Sequence, residues 1–353
     1  MKYRFKIIMI ALLLCNTISF AQSQQNEILK KSYTPASKNT KLEVSSNFGN
    51  INLVTWDNNS IDVSIKLESE GFSDKEISDI LDKIDLKTNE SAAVISIKTD
   101  LKSYNFTSRK NKSFKINYEI KMPDNHPLSL KNEFGNIFMT DYKGKADINL
   151  EYGDLTAGSM QELHLRNEFG KVNIESITSG DFDLEYINEF SLQSADRLIL
   201  KSEFSKLEIS KVSTIEFDVE YGKLEIGEVN DYDGNAEFCS ISIDTIFDNF
   251  NLDAEYASGT IEINQVSKDI KSFNLDTSFS KSELTLEKGS NFKFDTDHSF
   301  GKLNVKSQDV NFTMKEKDMN EESYQGTIGK TPNQANTTMR IKTSYGGCTI
   351  IGE

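Results

Sequence analysis

Residues 163–174 read LHLRNEFGKVNI, which is an alternating stretch interrupted by a glutamate, an aromatic residue and a glycine. Leu163 and Leu165 share one parity with Phe169, and Val172 and Ile174 resume the apolar parity after the glycine. A strict period of two with one apolar face is typical of a half-buried β-strand and excludes a helix. The stretch therefore predicts two short strands that meet at the aromatic residue.

The same phrase recurs along most of the chain in steps of 17 or 18 residues. A fixed period of this size is typical of a solenoid, in which each unit buries its apolar edge only against its neighbours. Because the aromatic residue has the parity of the leucines, we expect its ring to lie in the core. The repeated aromatic positions are Phe134, Tyr152, Phe169, Tyr186, Phe204, Tyr221, Phe238 and Tyr256.

A second regularity has twice that period, because phenylalanine and tyrosine alternate along the repeat. Two positions before the aromatic residue, the phenylalanine units carry Asn132, Asn167 and Ser202, whereas the tyrosine units carry apolar residues. One coil therefore holds either one unit or two. We favour one unit, because the inward side chains are too few to fill a coil of about 35 residues at ~3.3 Å each. The three polar residues indicate an internal hydrogen-bonded ladder rather than a ligand site.

The N-terminal region is expected to contain one helix near 74–84, because Ser73-Asp74-Lys75-Glu76 resembles a helix cap. The predicted fold class is all-β, a single-stranded β-helix or β-solenoid with two-strand units of about 17–18 residues. The expected segments are a signal peptide at 1–21, a flexible leader at 22–40, an N-terminal cap region at 41–127, a regular β-solenoid at 128–308, and a polar insertion with a C-terminal capping unit at 309–353.

The first 21 residues have the pattern of a secretory signal, with three basic residues, the apolar run 7–14 and Ser19-Phe20-Ala21. The mature protein is therefore expected to be exported, as a periplasmic, cell-surface or secreted protein. Removing those three basic residues from the 40 Lys and Arg leaves 37 against 55 Asp and Glu, a net charge of −18. Such a charge opposes nucleic acid. No later segment approaches the ~20 apolar residues of a membrane helix, so we do not expect an integral membrane protein.

Two cysteines remain after that segment, Cys239 and Cys348, and they belong to different units. Units that stack at ~4.8 Å per strand would place them ~19 Å apart. A disulfide needs Cα atoms within ~7 Å. We therefore predict two free thiols.

Four stretches of the chain carry a resemblance to a known family: 47–51 (NFGNI), 56–57 (WD), 118–123 (YEIKMP) and 344–347 (SYGG). Together with the alternating strands, they resemble the bacterial putative-adhesin family of exported β-helix proteins, over roughly 40–353. The resemblance implies the fold and a role in surface adhesion, and it supplies no ligand and no active-site residues. Several units depart from the pattern, because the turn glycine is replaced by Ile187, Ser205, Cys239 and Ala257.

A glutamate precedes the aromatic residue in each regular unit, at Glu133, Glu151, Glu168, Glu185, Glu203, Glu220, Glu237 and Glu255. Stacked at strand spacing, these like charges would repel, and a divalent cation such as Ca²⁺ could relieve the repulsion. The interpretation we favour is a solvated face partly neutralised by Lys171, Lys206, Lys223, Lys281 and Lys302. The sequence has no Gly-Gly-x-Gly-x-Asp calcium repeat, and we predict no cofactor.

The remaining candidates are weaker. His126, His164 and His298 are scattered without metal-ligand spacing, and no catalytic triad or phosphate loop stands out. The polar insertion 309–338 contains Tyr324, Gln325 and Gly326, which form either a recognition loop or part of an end cap that blocks edge pairing.

The sequence therefore predicts a non-catalytic binding or structural module of the bacterial envelope, whose partner is an envelope or surface protein or a glycan. The alternative is a carbohydrate-active β-helix enzyme, a polysaccharide lyase or hydrolase. An enzyme requires a groove with two or three convergent acids, whereas a scaffold requires loops that stay short along the array.

Overall fold

The computed structural model describes residues 24–102 and 112–352, in which the chain is all-β with one α-helix. The predicted signal peptide at 1–21 lies outside the described residues. All the strands belong to one 23-stranded sheet that mixes parallel and antiparallel pairs. The all-β class and the helix are confirmed.

The N-terminal part contains nine strands and the helix. Their bounds are β1 Gln24–Tyr33, β2 Lys41–Ser46, β3 Ile51–Thr55, β4 Ile61–Glu70, α1 Asp74–Leu81, β5 Ile84–Glu90, β6 Val94–Leu101, β7 Ser113–Met122, β8 Leu128–Asn132 and β9 Ile137–Met139.

The rest of the chain contains fourteen strands and a short 3-10 helix at Pro332–Gln334. The strands are β10 Tyr142–Glu151, β11 Leu155–Glu203, β12 Lys206–Glu220, β13 Lys223–Glu237, β14 Ser240–Glu255, β15 Thr260–Val266, β16 Ser272–Ser278, β17 Lys281–Leu286, β18 Phe292–Ser299, β19 Lys302–Lys306, β20 Val310–Lys317, β21 Glu321–Ile328, β22 Thr338–Ser344 and β23 Gly347–Ile351.

Consecutive repeat units pair with one another in parallel and in register. Leu207 of β12 pairs with Leu224 of β13, which pairs with Ile241 of β14. The offset equals one repeat unit, so residues two units apart are not neighbours. The pairing period is therefore the shorter of the two that the sequence allowed, as we favoured. Residues that point inward along these ladders are buried, including Leu165, Ile174, Leu200, Ile209 and Leu224 at 0% exposure.

The order of neighbours departs from chain order at the C-terminal end. Strand β22 lies between β16 and β18, and β23 lies between β17 and β19. The final unit is thus inserted between two earlier units, and the prediction that it caps the array is wrong. The hairpin β20–β21 pairs antiparallel with β18 instead and covers that strand's other side.

The N-terminal end has the same kind of crossover. Strand β2 pairs with β6 and β8, and β3 pairs with β7 and β9, so the first repeat contacts the unit 128–139 directly. The segment 22–40 is not simply a flexible leader, because nine of the ten residues of β1 pair antiparallel with β4. This strand covers the outer edge of the N-terminal region.

The helix α1 begins as the sequence predicts. The Ser73 hydroxyl accepts a hydrogen bond from the Glu76 backbone N–H, and the Glu76 carboxylate accepts one from the Ser73 backbone N–H. Ile77 and Ile80 face the core and are buried. Glu76 also lies 2.7 Å from Lys112 Nζ, and this contact and the cap lower the pKa of Glu76 to about 2.

Candidate functional site

The repeated aromatic residues face solvent, and the expectation that their rings lie in the core is wrong. Their exposed fractions run from 39% for Phe169 to 54% for Phe300. The aromatic residues that are buried lie outside the repeated position and include Phe182, Phe190, Tyr232, Phe250 and Phe273.

The reason is the backbone conformation at the corner between the two strands. From Tyr152 onward, each repeated aromatic residue has φ between 51° and 57°. This left-handed conformation interrupts the alternation of side chains between the two faces of a strand. Counting alternate residues through the corner therefore assigns the ring to the wrong face of the sheet. The conformation costs roughly 1–2 kcal/mol for a residue with a Cβ. The corner is held by the next unit, as when the Tyr152 N–H donates to the Glu168 carbonyl at 2.9 Å.

The residue after the aromatic ring lies close to the neighbouring unit. A Cβ on Gly170 would approach the Gly153 carbonyl oxygen to 1.9 Å, which explains the glycine. Where serine or cysteine replaces glycine, as at Ser205 and Cys239, the side chain itself bonds to the corner. Ser205 Oγ accepts from the Ile187 N–H at 3.0 Å and donates to the Glu203 carbonyl at 2.8 Å. From Tyr186 to Tyr256, all four units without glycine keep the same corner, because their aromatic residues have φ between 51° and 54°.

The exposed rings form one continuous ladder, which we call the aromatic strip. Adjacent centroids are 4.7 to 5.5 Å apart, and the ring planes differ by at most 12°. Eleven such steps at ~4.8 Å make the strip about 50 Å long. In stacking order it contains Phe48, Phe134, Tyr152, Phe169, Tyr186, Phe204, Tyr221, Phe238, Tyr256, Phe279, Tyr345 and Phe300.

The strip presents ring edges rather than ring faces. Each ring from Phe134 to Tyr345 has another ring against both of its faces. A sugar that stacks on an aromatic face therefore has no place on these inner rings. The edges of an aromatic ring carry partial positive charge. The surface is thus an apolar ribbon one ring wide, which suits packing against another apolar surface.

The predicted glutamate column runs beside the strip, and we call it the acidic border. Glu203, Glu220, Glu237 and Glu255 pair directly across neighbouring strands. Burial and then the neighbouring carboxylates raise the pKa values of Glu185 and Glu220. Repulsion between stacked carboxylates is therefore present in the fold.

Cation binding by this border stays the alternative to the solvated face that we favoured from the sequence. Within 24–102 and 112–352, no group of three or more His, Cys, Asp or Glu residues could hold a metal ion. Thermal melting in calcium against melting in chelator tests the prediction directly.

The five lysines proposed to neutralise the column follow the aromatic residue by two positions, so chain order puts them across the corner from the glutamates. Lys171 pairs with Glu189 at 2.6 Å, and Lys223 pairs with Glu225 at 2.7 Å. No ion pair joins a lysine to the acidic border in the described ranges. We call these residues the basic border: Lys171, Lys206, Lys223, Lys281 and Lys302.

The internal polar residues do not form the predicted satisfied ladder. Leu150 pairs with both Asn132 and Asn167 and therefore separates them. The Asn132 amide donates to the Gly49 and Gly135 carbonyls at 2.9 Å, whereas both amide atoms of Asn167 lack a partner. Both asparagines are fully buried, so they offer no surface to a ligand.

The three residues expected in a recognition loop lie in a strand instead, so the prediction of a loop there is wrong. Tyr324, Gln325 and Gly326 lie within strand β21, and Tyr324 is only 7% exposed, with its hydroxyl donating to Glu322 at 2.7 Å. Gly326 pairs with Phe294 of β18. These residues therefore belong to the hairpin that covers β18.

Two of the histidines and both described cysteines are buried within the fold. His126 Nδ1 lies 3.0 Å from the Thr40 carbonyl oxygen, and His298 Nδ1 lies 2.6 Å from Thr343 Oγ1. Burial lowers the pKa of His298. Cys239 and Cys348 are free and buried. Burial raises the pKa of both thiols, in the case of Cys348 to about 12.

One open groove of about 680 Å³ bears on the enzyme alternative, because several acids line it. Glu228 pairs with Lys211 at 2.9 Å, and Glu225 pairs with Lys223 at 2.7 Å. Asp244 accepts a hydrogen bond from the Asn264 amide at 2.9 Å. Three of the lining acids are thus already engaged by neighbouring side chains.

No protein-family model and no curated protein matches the chain. Three solved structures overlap 94% of it: a putative cell adhesion protein from Clostridium sporogenes (10% identity, TM-score 0.21, 100% of that chain), a putative adhesin from Bacteroides fragilis (11%, 0.29, 98%) and a putative lipid binding protein from Parabacteroides distasonis (10%, 0.31, 97%). These TM-scores lie below 0.5, so the likenesses carry no argument about function. None of the helices in the described ranges is long and apolar enough to cross a membrane.

Proposed function

We propose that this protein is a non-catalytic binding module of the bacterial envelope, and that the aromatic strip is its binding surface. The observation that carries the proposal is the exposure of eleven of the twelve rings of the strip, since every ring after Phe48 is at least 39% exposed. Monomeric proteins rarely leave a long contiguous apolar surface in water, and such surfaces mark interaction sites.

The architecture we propose for this module is a β-solenoid. The in-register parallel pairing of units 17 or 18 residues apart supports it. A stack of this kind fixes the spacing of surface side chains, because each unit is held by its neighbours. We further propose that 1–21 is a signal peptide and that the mature chain is exported. The domain boundaries at 41–127, 128–308 and 309–353 are retained as a proposal, without the capping role of the final unit.

Edge presentation favours a protein partner over a glycan. The inner rings offer no free face for sugar stacking, since each is covered on both sides. An apolar protein surface can pack against ring edges, and ordered aromatic side chains lose little conformational entropy on binding.

Binding of the mature chain to isolated bacterial envelopes tests the proposal. The test variant replaces three adjacent rings, Tyr186→Asn, Phe204→Asn and Tyr221→Asn, because asparagine tolerates the left-handed conformation. A matched control replaces two exposed aromatic residues outside the strip, Phe138→Asn and Phe247→Asn, which are 41% and 36% exposed.

We expect the strip variant to bind at least about tenfold more weakly, which corresponds to about 1.4 kcal/mol, and the control variant to bind like wild type. Circular dichroism and thermal melting of both variants verify the fold. Equal binding by the folded strip variant would remove the strip from the function.

The enzyme alternative has one supporting observation, the groove lined by Glu208, Glu225, Glu228 and Asp244. Incubation with a panel of polysaccharides, with detection of new reducing ends or unsaturated products, tests it. Product release that Glu225→Gln abolishes would establish the enzyme, and a lack of product across the panel would eliminate it.

A further inference from the structure

We propose that the partner of the aromatic strip is a second copy of this chain, bound about a two-fold axis parallel to the strip. This inference rests on the proposed function, because it names the occupant of the same surface: in the envelope test, the strip would bind copies of this chain that the envelope already carries. It is carried by the opposite charges on the two sides of the strip and by the regular spacing of its rings.

The charge pattern repeats at three positions along the strip. In each of them a glutamate precedes the ring and a lysine follows it by two residues, and chain order puts the two charges on opposite sides of the corner. These positions are Glu168 with Lys171 around Phe169, Glu203 with Lys206 around Phe204, and Glu220 with Lys223 around Tyr221.

Two copies could meet face to face about either of two two-fold axes, and only one of these sets opposite charges against each other. Rotation about an axis parallel to the strip keeps each ring level with its own copy and exchanges left and right. The acidic border of one copy then faces the basic border of the other. An in-plane axis at right angles to the strip would set the acidic borders against each other, and like charges opposed in this way are destabilising. The favoured contact is a closed, isologous dimer.

The ring spacing supports a second copy as the occupant. Both copies have rings every 4.7 to 5.5 Å, so their edges stay in step along the whole strip. Identical side-chain ladders with a common repeat can pack along their whole length as a dry interface. An extended peptide laid along the strip has a side-chain repeat of about 6.6 Å on one face, which does not match.

The lysines of the basic border are available for this exchange of partners. Lys171 and Lys223 have side chains 56% and 45% exposed, and their present ion pairs are surface pairs. Exposed ion pairs contribute little to stability, so replacing Glu189 or Glu225 by a glutamate of the second copy costs little.

The area of the strip and its borders is large enough for a stable dimer interface. The glutamate and the lysine of a unit are three residues apart, which is about 10 Å of backbone, and their side chains widen the ribbon to about 15 Å. At a length of about 50 Å, the ribbon therefore covers roughly 750 Å² per copy. This is close to the ~800 Å² per partner of a standard stable interface.

Charge exchange between the borders tests the inference. One variant makes both borders acidic, with Lys171→Glu, Lys206→Glu and Lys223→Glu. The other makes both borders more basic, with Glu168→Lys, Glu203→Lys and Glu220→Lys. Sedimentation equilibrium of the mature chain should show a dimer for wild type, at least tenfold weaker association for each variant alone, and a restored heterodimer in the equimolar mixture.

A charge-matched control reverses three lysines that lie outside the borders and also form surface ion pairs, with Lys145→Glu, Lys211→Glu and Lys268→Glu. This control should dimerise like wild type. Its loss of dimer to the same degree as the border variant would overturn the inference, because only total charge would then matter.

A single cysteine provides a second measurement that does not require three substitutions. The proposed axis places the two copies of residue 204 opposite each other, but the flanking rings keep their Cα atoms farther apart than the ~7 Å that a disulfide spans. Phe204→Cys should therefore be joined into a covalent dimer by a bifunctional maleimide that bridges the width of two rings. Phe138→Cys, exposed but outside the strip, should remain monomeric.

The two proposals fail separately. The second-copy inference is overturned if the wild-type chain stays monomeric at high micromolar concentration. It is also overturned if the charge variants do not weaken the dimer and Phe204→Cys does not form a covalent dimer. The binding function survives either result if the three-ring asparagine variant still loses envelope binding. Both are overturned if the strip variant also binds envelopes like wild type.

Discussion

The ring of Tyr345 stacks on the ring of Phe300 at 4.7 Å, with their planes 3° apart. The hairpin β20–β21 separates the two residues in sequence. Tyr345 also stacks on Phe279, so the last repeat of the chain fills the position between two earlier repeats. The C-terminal segment is therefore an internal part of the strip and not its end.

Deletion of 336–353 should therefore unfold the neighbouring strands at the C-terminal end of the array, and not only remove β22 and β23. Strands β16 and β18 would each lose a parallel partner, β22. Because each unit depends mainly on its neighbours, units before about 240 should keep their structure. Hydrogen exchange should show loss of protection over 272–306 with little change at 142–220. Replacing 309–329 by a flexible linker is the control, and should leave the position of β22 intact.

The left-handed corner makes an unusual prediction at Phe204, whose φ is 52°. In a strand interior, alanine is more stable than glycine, but at positive φ glycine avoids the Cβ penalty. Both substitutions lose stacking with Tyr186 and Tyr221, at about 0.5–1.5 kcal/mol for each ring pair. We expect Phe204→Gly to be more stable than Phe204→Ala by about 1 kcal/mol, measured by urea unfolding. The opposite order would contradict the corner geometry.

The Cys239 side chain makes the same two hydrogen bonds at its corner as the Ser205 side chain. Its Sγ lies 3.3 Å from the Gly222 nitrogen and 3.1 Å from the Glu237 carbonyl oxygen. Cys239→Ser should thus keep both hydrogen bonds and change the free energy of unfolding by less than about 1 kcal/mol. Cys239→Val leaves the Gly222 N–H unpaired and should cost about 1–3 kcal/mol. Urea unfolding of both variants checks this, and equal stability of the two would show that the hydrogen bonds contribute nothing.

The acidic border should make stability depend on pH. The folded-state pKa values of Glu185 and Glu220 are raised, so the fold favours their protonated forms. Their ionisation therefore opposes folding at neutral pH, and the opposition disappears as pH falls through the raised pKa values. The double variant Glu185→Gln and Glu220→Gln should have a higher urea midpoint than wild type at pH 7. The difference between the two midpoints should be smaller at pH 4. A midpoint gain that does not change with pH would point to packing instead.

Glu76 should have the opposite dependence, because its pKa is lowered to about 2 by Lys112 and the Ser73 cap. A lowered folded-state pKa stabilises the fold above the unfolded value of about 4.3, and this contribution is lost as pH falls from there towards 2. Glu76→Gln should remove this acid sensitivity, as seen in amide exchange of α1. Asp74→Asn at the same helix end serves as the control, and an equal effect there would contradict a specific role for Glu76.

Much of the local structure could be predicted from the sequence alone. The alternation in 163–174 and the repeat step of 17 or 18 residues predict strands that pair with the next unit, as Leu207 and Leu224 do. The cap at Ser73 and Glu76 predicts α1. These features depend on hydrogen bonds and side-chain periods within a few residues or within one repeat, so they are visible in the order of residues.

Two features were decided only by tertiary structure. The side of the sheet on which Phe169 and its equivalents lie depends on a positive φ at a non-glycine residue, which neighbouring units stabilise and side-chain parity cannot reveal. The position of Tyr345 between Phe279 and Phe300 depends on which strand edges remain open when the C-terminal segment packs. Sequence order therefore determined the repeating unit, and contacts between distant units determined that its rings form one exposed strip.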